Sequence, residues 1–166
     1  MSIEDPAFQH AEDIYNQVTE SNRFWFNADV FDSHSELQAE IGTMAAVGVG
    51  DESILAIDTA IGNIEEDDTS VEVVIVTDRR FVRVYTQTGD TPYMDVFPRT
   101  ALESVRVSRV PDPLAKSLYQ RRGLPKFEVQ LNGGAKLNFA NDQASDAAQA
   151  QRSKLLTILL ADLSRK

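Results

Sequence analysis

The spacing of hydrophobic residues changes once along this chain, near residue 50. Before that point, apolar residues recur every three or four positions in two stretches, as they do in amphipathic helices. Asp5-Pro6 provides an N-cap and a first-turn proline for the first helix, and Ser33 with Glu36 forms a capping box for the second. The glycine-rich stretch that follows is expected to stop the second helix. The pattern therefore predicts an N-terminal two-helix arm over residues 1–48.

After Glu52, apolar residues alternate with polar ones, and this spacing predicts antiparallel strands. The second of these strands is apolar on both faces, which indicates a central position. The run Glu65-Glu66-Asp67-Asp68 is interpreted as part of a solvated loop over residues 62–68, and Asn132-Gly133-Gly134 as a tight hairpin. The predicted strands cover residues 53–61, 71–76, 81–87, 93–97, 102–110, 127–131 and 136–139.

A final amphipathic helix is predicted from an apolar stripe that runs from Ala144 to Leu163, with Asp142 as its candidate N-cap. Seven strands followed by one helix predict an α+β fold, in which the helix covers the open end of a curled antiparallel sheet. In this position the helix would also protect the strand edges.

The net charge of −10 conceals an uneven distribution of charge. Residues 1–78 hold 18 acidic residues and one basic residue, whereas residues 79–166 hold 8 acidic and 15 basic residues. Two interpretations follow: the two halves neutralise each other, or the basic half faces an anionic partner. The acidic total argues against nucleic acid as the main ligand, because such binding needs a dominant basic surface.

Several kinds of site lack the residues that they need. The chain has no cysteine, which excludes disulfides and thiolate chemistry and is typical of a reducing compartment. Its N-terminus has no signal-peptide pattern and no apolar run approaches the length of a bilayer span, so the expected location is the cytoplasm. The two histidines, His10 and His34, have no ligand or triad pattern around them. We therefore expect no metal, no cofactor and no catalytic residue.

Three short motifs occur in a fixed order after residue 50. They are Asp51-Glu52-Ser53-Ile54, the hairpin from Val76 to Phe81, and a strand entry from Pro98 to Val105. Together they resemble the bacterial pleckstrin-homology-like (PH-like) domains, although the first motif is one residue longer than the family's Gly-Glu start. The resemblance covers about residues 50–165. It implies a split β-barrel of about seven antiparallel strands capped by a C-terminal helix, with residues 1–48 as a helical arm and 50–166 as the PH-like domain.

The resemblance also implies roles for the hairpin residues. Asp78 would accept hydrogen bonds from backbone amides of the turn, and Arg80 would contact carboxylates or carbonyls of neighbouring strands. Arg79 is the freer of the two arginines. Eukaryotic relatives bind phosphoinositides with basic residues at the first hairpin loop, whereas this chain has four acids there. This difference argues against phosphoinositide binding.

Two regions are candidates for contact with a partner. Phe24-Trp25-Phe26 directs three aromatic side chains to different sides, so that they either plug a groove on the following domain or fill the junction. The connection after the fifth strand combines basic with apolar residues, and it either binds a partner or packs against the acidic arm. The predicted partner-binding residues are Phe24, Trp25, Phe26, Arg79, Arg109, Lys116, Tyr119, Arg121 and Arg122.

The sequence thus favours a non-enzymatic module that binds a protein or peptide, or assembles with copies of itself, along a groove or an exposed strand edge. The alternative is a binder of anionic surfaces, nucleic acid or acidic lipid, through arginines of the second half. An enzyme of unrecognised type is a third hypothesis, because a fold alone does not exclude a site built upon it.

Overall fold

A computed structural model describes residues 6–28, 31, 35–65, 68–110 and 125–165 of the chain. Within these ranges the predicted helices are confirmed, although their proposed starting residues Asp5 and Ser33 lie outside. The α-helices whose bounds the structure describes are α1 (Pro6–Ser21), α2 (Ser35–Val49) and α3 (Asp146–Leu163), and 3-10 turns lie at Trp25–Asn27 and Arg99–Ala101.

Seven strands form two antiparallel sheets within the described ranges, which confirms the α+β class. The first sheet has the order β1-β2-β3-β4 and the second has the order β5-β6-β7. Each sheet is a meander, because every pairing joins strands that are consecutive in sequence. The strands are β1 (Ile54–Glu65), β2 (Asp68–Thr77), β3 (Arg80–Gln87), β4 (Tyr93–Pro98), β5 (Leu102–Arg109), β6 (Lys126–Leu131) and β7 (Lys136–Phe139).

Two hydrophobic cores lie on opposite faces of the first sheet. On one face, apolar side chains of α1 and α2 pack with Val71, Val73 and Ile75 of β2. On the other face, Val74 and Val76 pack with side chains of the second sheet and of α3. This arrangement explains why β2 is apolar on both faces, as strands covered on both sides are. The N-terminal helices therefore pack on the sheet of their own chain.

The first hairpin is tighter than the sequence predicts. The predicted acidic loop over residues 62–68 is wrong, because β1 continues to Glu65 and β2 begins at Asp68. Gly62 pairs with Ser70, and Glu65 pairs with Asp68. Once the apolar parts of the two strands set the register, pairing continues outward in spite of the low strand propensity of acidic residues.

The second helix also ends later than the sequence predicts. It runs through Gly48 to Val49, and Gly50 follows with a φ of 61°. A β-carbon at Gly48 would lie 2.5 Å from Cγ1 of Val82 and 2.8 Å from Sδ of Met94. Gly48 therefore permits close contact between helix and sheet, whereas Gly50 adopts the left-handed conformation that terminates the helix.

The start of α3 differs from its prediction as well. The predicted cap Asp142 is wrong: the N-cap is Ser145, whose Oγ accepts a 3.3 Å hydrogen bond from the N–H of Ala148. The Asp142 carboxylate instead lies 2.8 Å from Nζ of Lys126. Asp142 therefore pairs with Lys126 of β6, and Ser145, directly before the first helical residue, caps α3.

No strand ladder joins the two sheets into a closed barrel within the described ranges. The split-barrel arrangement therefore stays a prediction. None of the described helices is long and apolar enough to cross a membrane.

Candidate interaction edge

Side-chain amides cover the outer edge of β1. The Gln143 amide accepts a 3.3 Å hydrogen bond from the N–H of Ile61 and donates a 3.1 Å hydrogen bond to the carbonyl of the same residue. Further along the strand, Gln151 of α3 accepts from the N–H of Ile57. These amides satisfy backbone groups that a neighbouring strand would otherwise bind.

Thr59 lies at the centre of the same cover. Its carbonyl accepts hydrogen bonds from the side-chain amides of Asn22 and Asn141, and its hydroxyl accepts a 2.7 Å hydrogen bond from Ser21. Asn22 also forms an isolated β-bridge with Ala144. The end of α1 and the segment before α3 thus close this edge, and a partner strand would have to displace them to pair with β1.

The opposite edge of the first sheet is β4, and it has no such cover. Within the described ranges, no backbone group of Tyr93–Pro98 is hydrogen-bonded to anything other than β3. Tyr93 and Val96 are 44% and 42% exposed, and Val47, at the end of the helix that contacts β4, is 67% exposed. We call this surface, Val47 with Tyr93–Pro98, the β4 edge. An unpaired strand beside exposed apolar side chains is suited to pairing with an extended segment.

The β4 edge was not among the predicted site residues, although the sequence holds a signal for it. Pro92 precedes the strand and Pro98 ends it. Proline cannot donate to a sheet ladder, so it is found mainly on edge strands and at strand ends. Two prolines around one strand therefore indicate an edge position.

A polar and aromatic cluster lies beside the β4 edge, on the face of the sheet that bears the second core. Nε of Arg83 lies 2.5 Å from Oε1 of Glu72, whereas Nη1 of Arg83 lies 3.9 Å from Oδ2 of Asp95. The rings of Tyr85 and Tyr93 are 5.5 Å apart and inclined at 46°, and the Arg83 guanidinium is 5.2 Å from the centre of the Tyr85 ring. Arg83 is thus held by Glu72 and Tyr85, and it is beyond hydrogen-bonding distance of Asp95.

The protonation of Arg83 follows from the same contacts. Partial burial acts to lower the pKa of Arg83, but the hydrogen bond and charge of Glu72, with a smaller effect of the Asp95 carboxylate, more than offset it and raise the pKa. Arginine remains charged in proteins in any case, so the guanidinium neutralises the Glu72 carboxylate.

A buried ion pair connects α3 to the first sheet. Nη2 of Arg152 lies 2.8 Å from Oδ1 of Asp58, and the two side chains are 2% and 4% exposed. Burial raises the pKa of Asp58 above its ordinary value of 3.8, and Glu72 adds to this effect, although Arg152 and Asn141 act to lower the pKa. The sequence signal for this pair is a charged residue on the apolar face of a helix. Because both side chains are inaccessible, the pair holds elements together and does not contact a partner.

The hairpin between β2 and β3 brings two of the sequence motifs together. Nε of Arg80 lies 2.7 Å from Oε1 of Glu52, and Nη1 of Arg80 donates to the carbonyl of Gly48. Arg80 therefore contacts a carboxylate and a carbonyl as predicted, but these groups belong to the segment before β1 and to the end of α2, not to neighbouring strands. The predicted role of Asp78 is wrong, because Oγ1 of Thr77 accepts from two amides of the turn while Asp78 faces solvent.

The three consecutive aromatic residues after α1 lie in different environments. Trp25 is completely buried in the first core, with its ring centre 4.6 Å from that of Phe31. Phe24 and Phe26 are exposed. Trp25 therefore fills the junction between the N-terminal helices and the sheet and offers no surface to a partner, whereas Phe24 and Phe26 remain accessible.

Of the predicted partner-binding residues after Phe26, the structure describes Arg79 and Arg109. Arg79 is exposed on the β2–β3 turn, at the opposite end of that hairpin from Tyr85, and Arg109 ends β5. The structure does not bring Arg79 to the Tyr93 end of the β4 edge. Lys116, Tyr119, Arg121 and Arg122 lie outside the described residues.

Ion pairs connect the acidic half of the chain to the basic half. In three of them, an acid up to residue 78 lies within 2.8 Å of an arginine in the second half: Glu52–Arg80, Glu72–Arg83 and Asp58–Arg152. This is what internal neutralisation of the two halves predicts.

Within the ranges that the structure describes, no three histidine, aspartate or glutamate side chains converge as metal ligands would. No protein-family model, curated protein or solved structure matches the chain. Function has to be inferred from the geometry of the chain itself.

Proposed function

We propose that this protein is a non-enzymatic, protein-binding or self-assembling module of PH-like fold, whose β4 edge pairs with an extended segment. Two features support the fold. Seven antiparallel strands in two sheets are followed by a C-terminal helix, and the resemblance implies about seven such strands and a final helix. In addition, the ion pair of Glu52 with Arg80 joins two of the three motifs on which the resemblance depends.

The difference between the two edges of the first sheet carries the binding part of the proposal. Side chains from α1, α3 and the segment before α3 cover β1, whereas the described residues leave β4 uncovered. Proteins normally protect an edge strand with charges, bulges or a covering element, because an unprotected edge pairs with other chains. Exposed Tyr93, Val96 and Val47 add apolar contact area beside the unpaired backbone.

The alternative, binding to an anionic surface, has weaker support. Arg99 is one of the arginines that such a surface would use, but it donates to the carbonyls of Thr77 and Asp78 and pairs with Asp162. A guanidinium that is already bonded within the chain has to exchange those contacts for a phosphate, which reduces the net gain.

Selection of peptides from a random display library tests the proposal. The selected peptides would be added to 15N-labelled protein, and we expect the amide signals of residues 93–98 to shift. Val96→Lys should weaken binding strongly, because a charge on an edge strand opposes pairing. Val107→Lys is the matched control, since Val107 is also an exposed valine on an edge strand but belongs to the second sheet. It should leave the affinity unchanged.

Peptides that bind wild type and Val96→Lys equally, or that shift another surface, would contradict the proposal. A dimer in light scattering that Val96→Lys dissociates would identify a second copy of the chain as the occupant, which is the self-assembling form of the proposal. Binding to anionic vesicles or DNA that decreases steeply with salt, with no peptide bound at β4, would favour the alternative instead.

A further inference from the structure

A cleft of about 250 Å³ opens at the beginning of the β4 edge. The rings of Tyr85 and Tyr93 are inclined at 46°, so they form an open aromatic corner and not a closed stack. The Tyr85 hydroxyl donates a long, 3.4 Å hydrogen bond to the side-chain carbonyl of Gln87. The residues that line the cleft are Tyr85, Thr86, Gln87, Asp90, Thr91 and Tyr93.

The charge in and beside this cleft is acidic. Asp90 is exposed and belongs to the lining, and Asp95 lies two positions after Tyr93, on the same face of β4. Arg83 lies near the cleft, but its guanidinium is bound to Glu72 at 2.5 Å and is 3.9 Å from Asp95. The charge of Arg83 is therefore balanced by Glu72, and the two aspartates leave an excess of negative charge.

We infer that this cleft binds the cationic side chain of an arginine or lysine in the segment that pairs with β4. The inference rests on the proposed function and specifies which side chain its partner carries. A cation beside the Tyr93 ring and the Asp90 carboxylate, with Asp95 two positions along β4, gains cation–π and charge interactions. The flat guanidinium of arginine suits an aromatic wall better than the ammonium of lysine does.

Strand geometry delivers such a side chain to the cleft. A strand paired with β4 directs every second side chain to the face that bears Tyr93 and Asp95, so a basic residue opposite them reaches the cleft. The β4 strand of a second copy would not supply it, because Tyr93–Pro98 contains an acid and no base. Charge complementarity therefore favours a separate, basic segment over self-pairing, and the net charge of −10 acts in the same direction.

Titration with a small cationic probe tests the inference on the full chain. The probe is N-acetyl-arginine methylamide, and N-acetyl-citrulline methylamide is its neutral isostere. We expect the arginine probe to shift the amide signals of Thr86, Gln87, Thr91 and Tyr93 in a saturable manner. The citrulline probe should bind about fivefold more weakly, the factor for a cation–π contact at an exposed site.

Variants separate a specific site from general attraction. Tyr93→Leu and Asp95→Asn should each weaken the arginine probe about two- to fivefold, whereas Tyr93→Phe should retain the affinity because it keeps the ring. Glu103→Gln removes an exposed acid from β5 and changes the net charge as Asp95→Asn does, so it should have no effect. The spectral dispersion of each variant shows whether it is folded.

The inference would be overturned if the arginine probe gave no saturable shifts, if citrulline bound equally well, or if both Tyr93→Leu and Asp95→Asn bound as wild type does. These outcomes differ from failure of the proposed function. If a peptide pairs with β4 and has the same affinity with arginine or with citrulline at the cleft, only this inference is contradicted. An arginine probe in the cleft, with no peptide paired to β4, removes the proposed function alone.

Discussion

The buried pair of Asp58 and Arg152 allows a sharp test of how α3 is held on the first sheet. Arg152→Met removes the cation and leaves a buried carboxyl group, whereas Asp58→Leu leaves a buried guanidinium group. The two replacements are not equivalent, because a carboxylate can bind a proton and become neutral while arginine stays charged. We therefore expect the two variants to differ in their dependence on pH.

For Arg152→Met, the pH sets an upper limit on the free energy of unfolding that is lost when Asp58 is left without its cation. Keeping Asp58 protonated costs about 1.36 kcal/mol for each pH unit above its ordinary pKa of 3.8. The limit is therefore about 4 kcal/mol at pH 7 and about 2 kcal/mol at pH 5. An acid whose pKa is raised in the folded state stabilises that state as the pH falls from the folded pKa toward 3.8. The loss relative to wild type should thus shrink by up to about 2–3 kcal/mol between pH 7 and pH 5.

In Asp58→Leu, the buried guanidinium of Arg152 cannot become neutral as the pH falls. Removing one partner of a buried pair costs about 3–5 kcal/mol. Arginine stays charged, and the raised pKa of Asp58 stabilises wild type as the pH falls, so this loss should stay level or grow from pH 7 to pH 5. The double variant Asp58→Leu/Arg152→Met buries no charge. It should recover much of the loss, since apolar replacement of a whole buried pair is often close to neutral.

Urea denaturation at pH 5, 6 and 7 measures the free energy of unfolding of wild type, both single variants and the double variant. The difference from wild type at each pH removes the titration of all other groups. Equal pH dependence of the two single variants would refute the reasoning about the charges. A double variant whose loss equals the sum of the single losses would show that the two side chains do not interact.

Three further predictions concern packing and capping. Gly48→Ala should destabilise the fold by about 1–3 kcal/mol in chemical denaturation, because the added carbon would lie 2.5 Å from Val82; an unchanged midpoint would contradict the close contact. Ser145→Ala should cost about 1 kcal/mol through loss of the α3 cap, and Ser145→Asp should restore it in the same assay. Trp25→Ala should cost about 3–5 kcal/mol and Phe26→Ala less than about 0.5 kcal/mol, so equal losses would count against their different burial.

The kinds of elements were predictable because each depends on neighbouring residues. The spacing of three and four before residue 50 and the alternation after Glu52 correspond to the helices and strands that form. The ends of the elements were less predictable. Gly48 is inside α2 and residues 62–65 are inside β1, since contacts with other parts of the chain outweigh the local preference for a turn.

The sequence predicted the type of candidate site, an exposed strand edge, but not its position. An exposed strand edge was among the surfaces that the sequence favoured. The predicted aromatic residues Phe24, Trp25 and Phe26 did not locate that edge, and Trp25 is buried in the first core. Tyr93 and Asp95 lay in an ordinary alternating strand. Their place in the candidate site depends on β3, because the register between β3 and β4 sets Tyr85 opposite Tyr93 and Arg83 opposite Asp95.

By itself, the sequence determined the class of fold, the order of the strands along the chain and the uneven distribution of charge, because periodicity and charge are properties of short stretches and of totals. Only the tertiary structure decided which sheet edge is open. Asn22, Asn141, Gln143 and Gln151 come from both ends of the chain, and no local pattern in the sequence marks these amides as partners of β1. Their hydrogen bonds to β1 exist only after α1 and α3 have packed on the sheet.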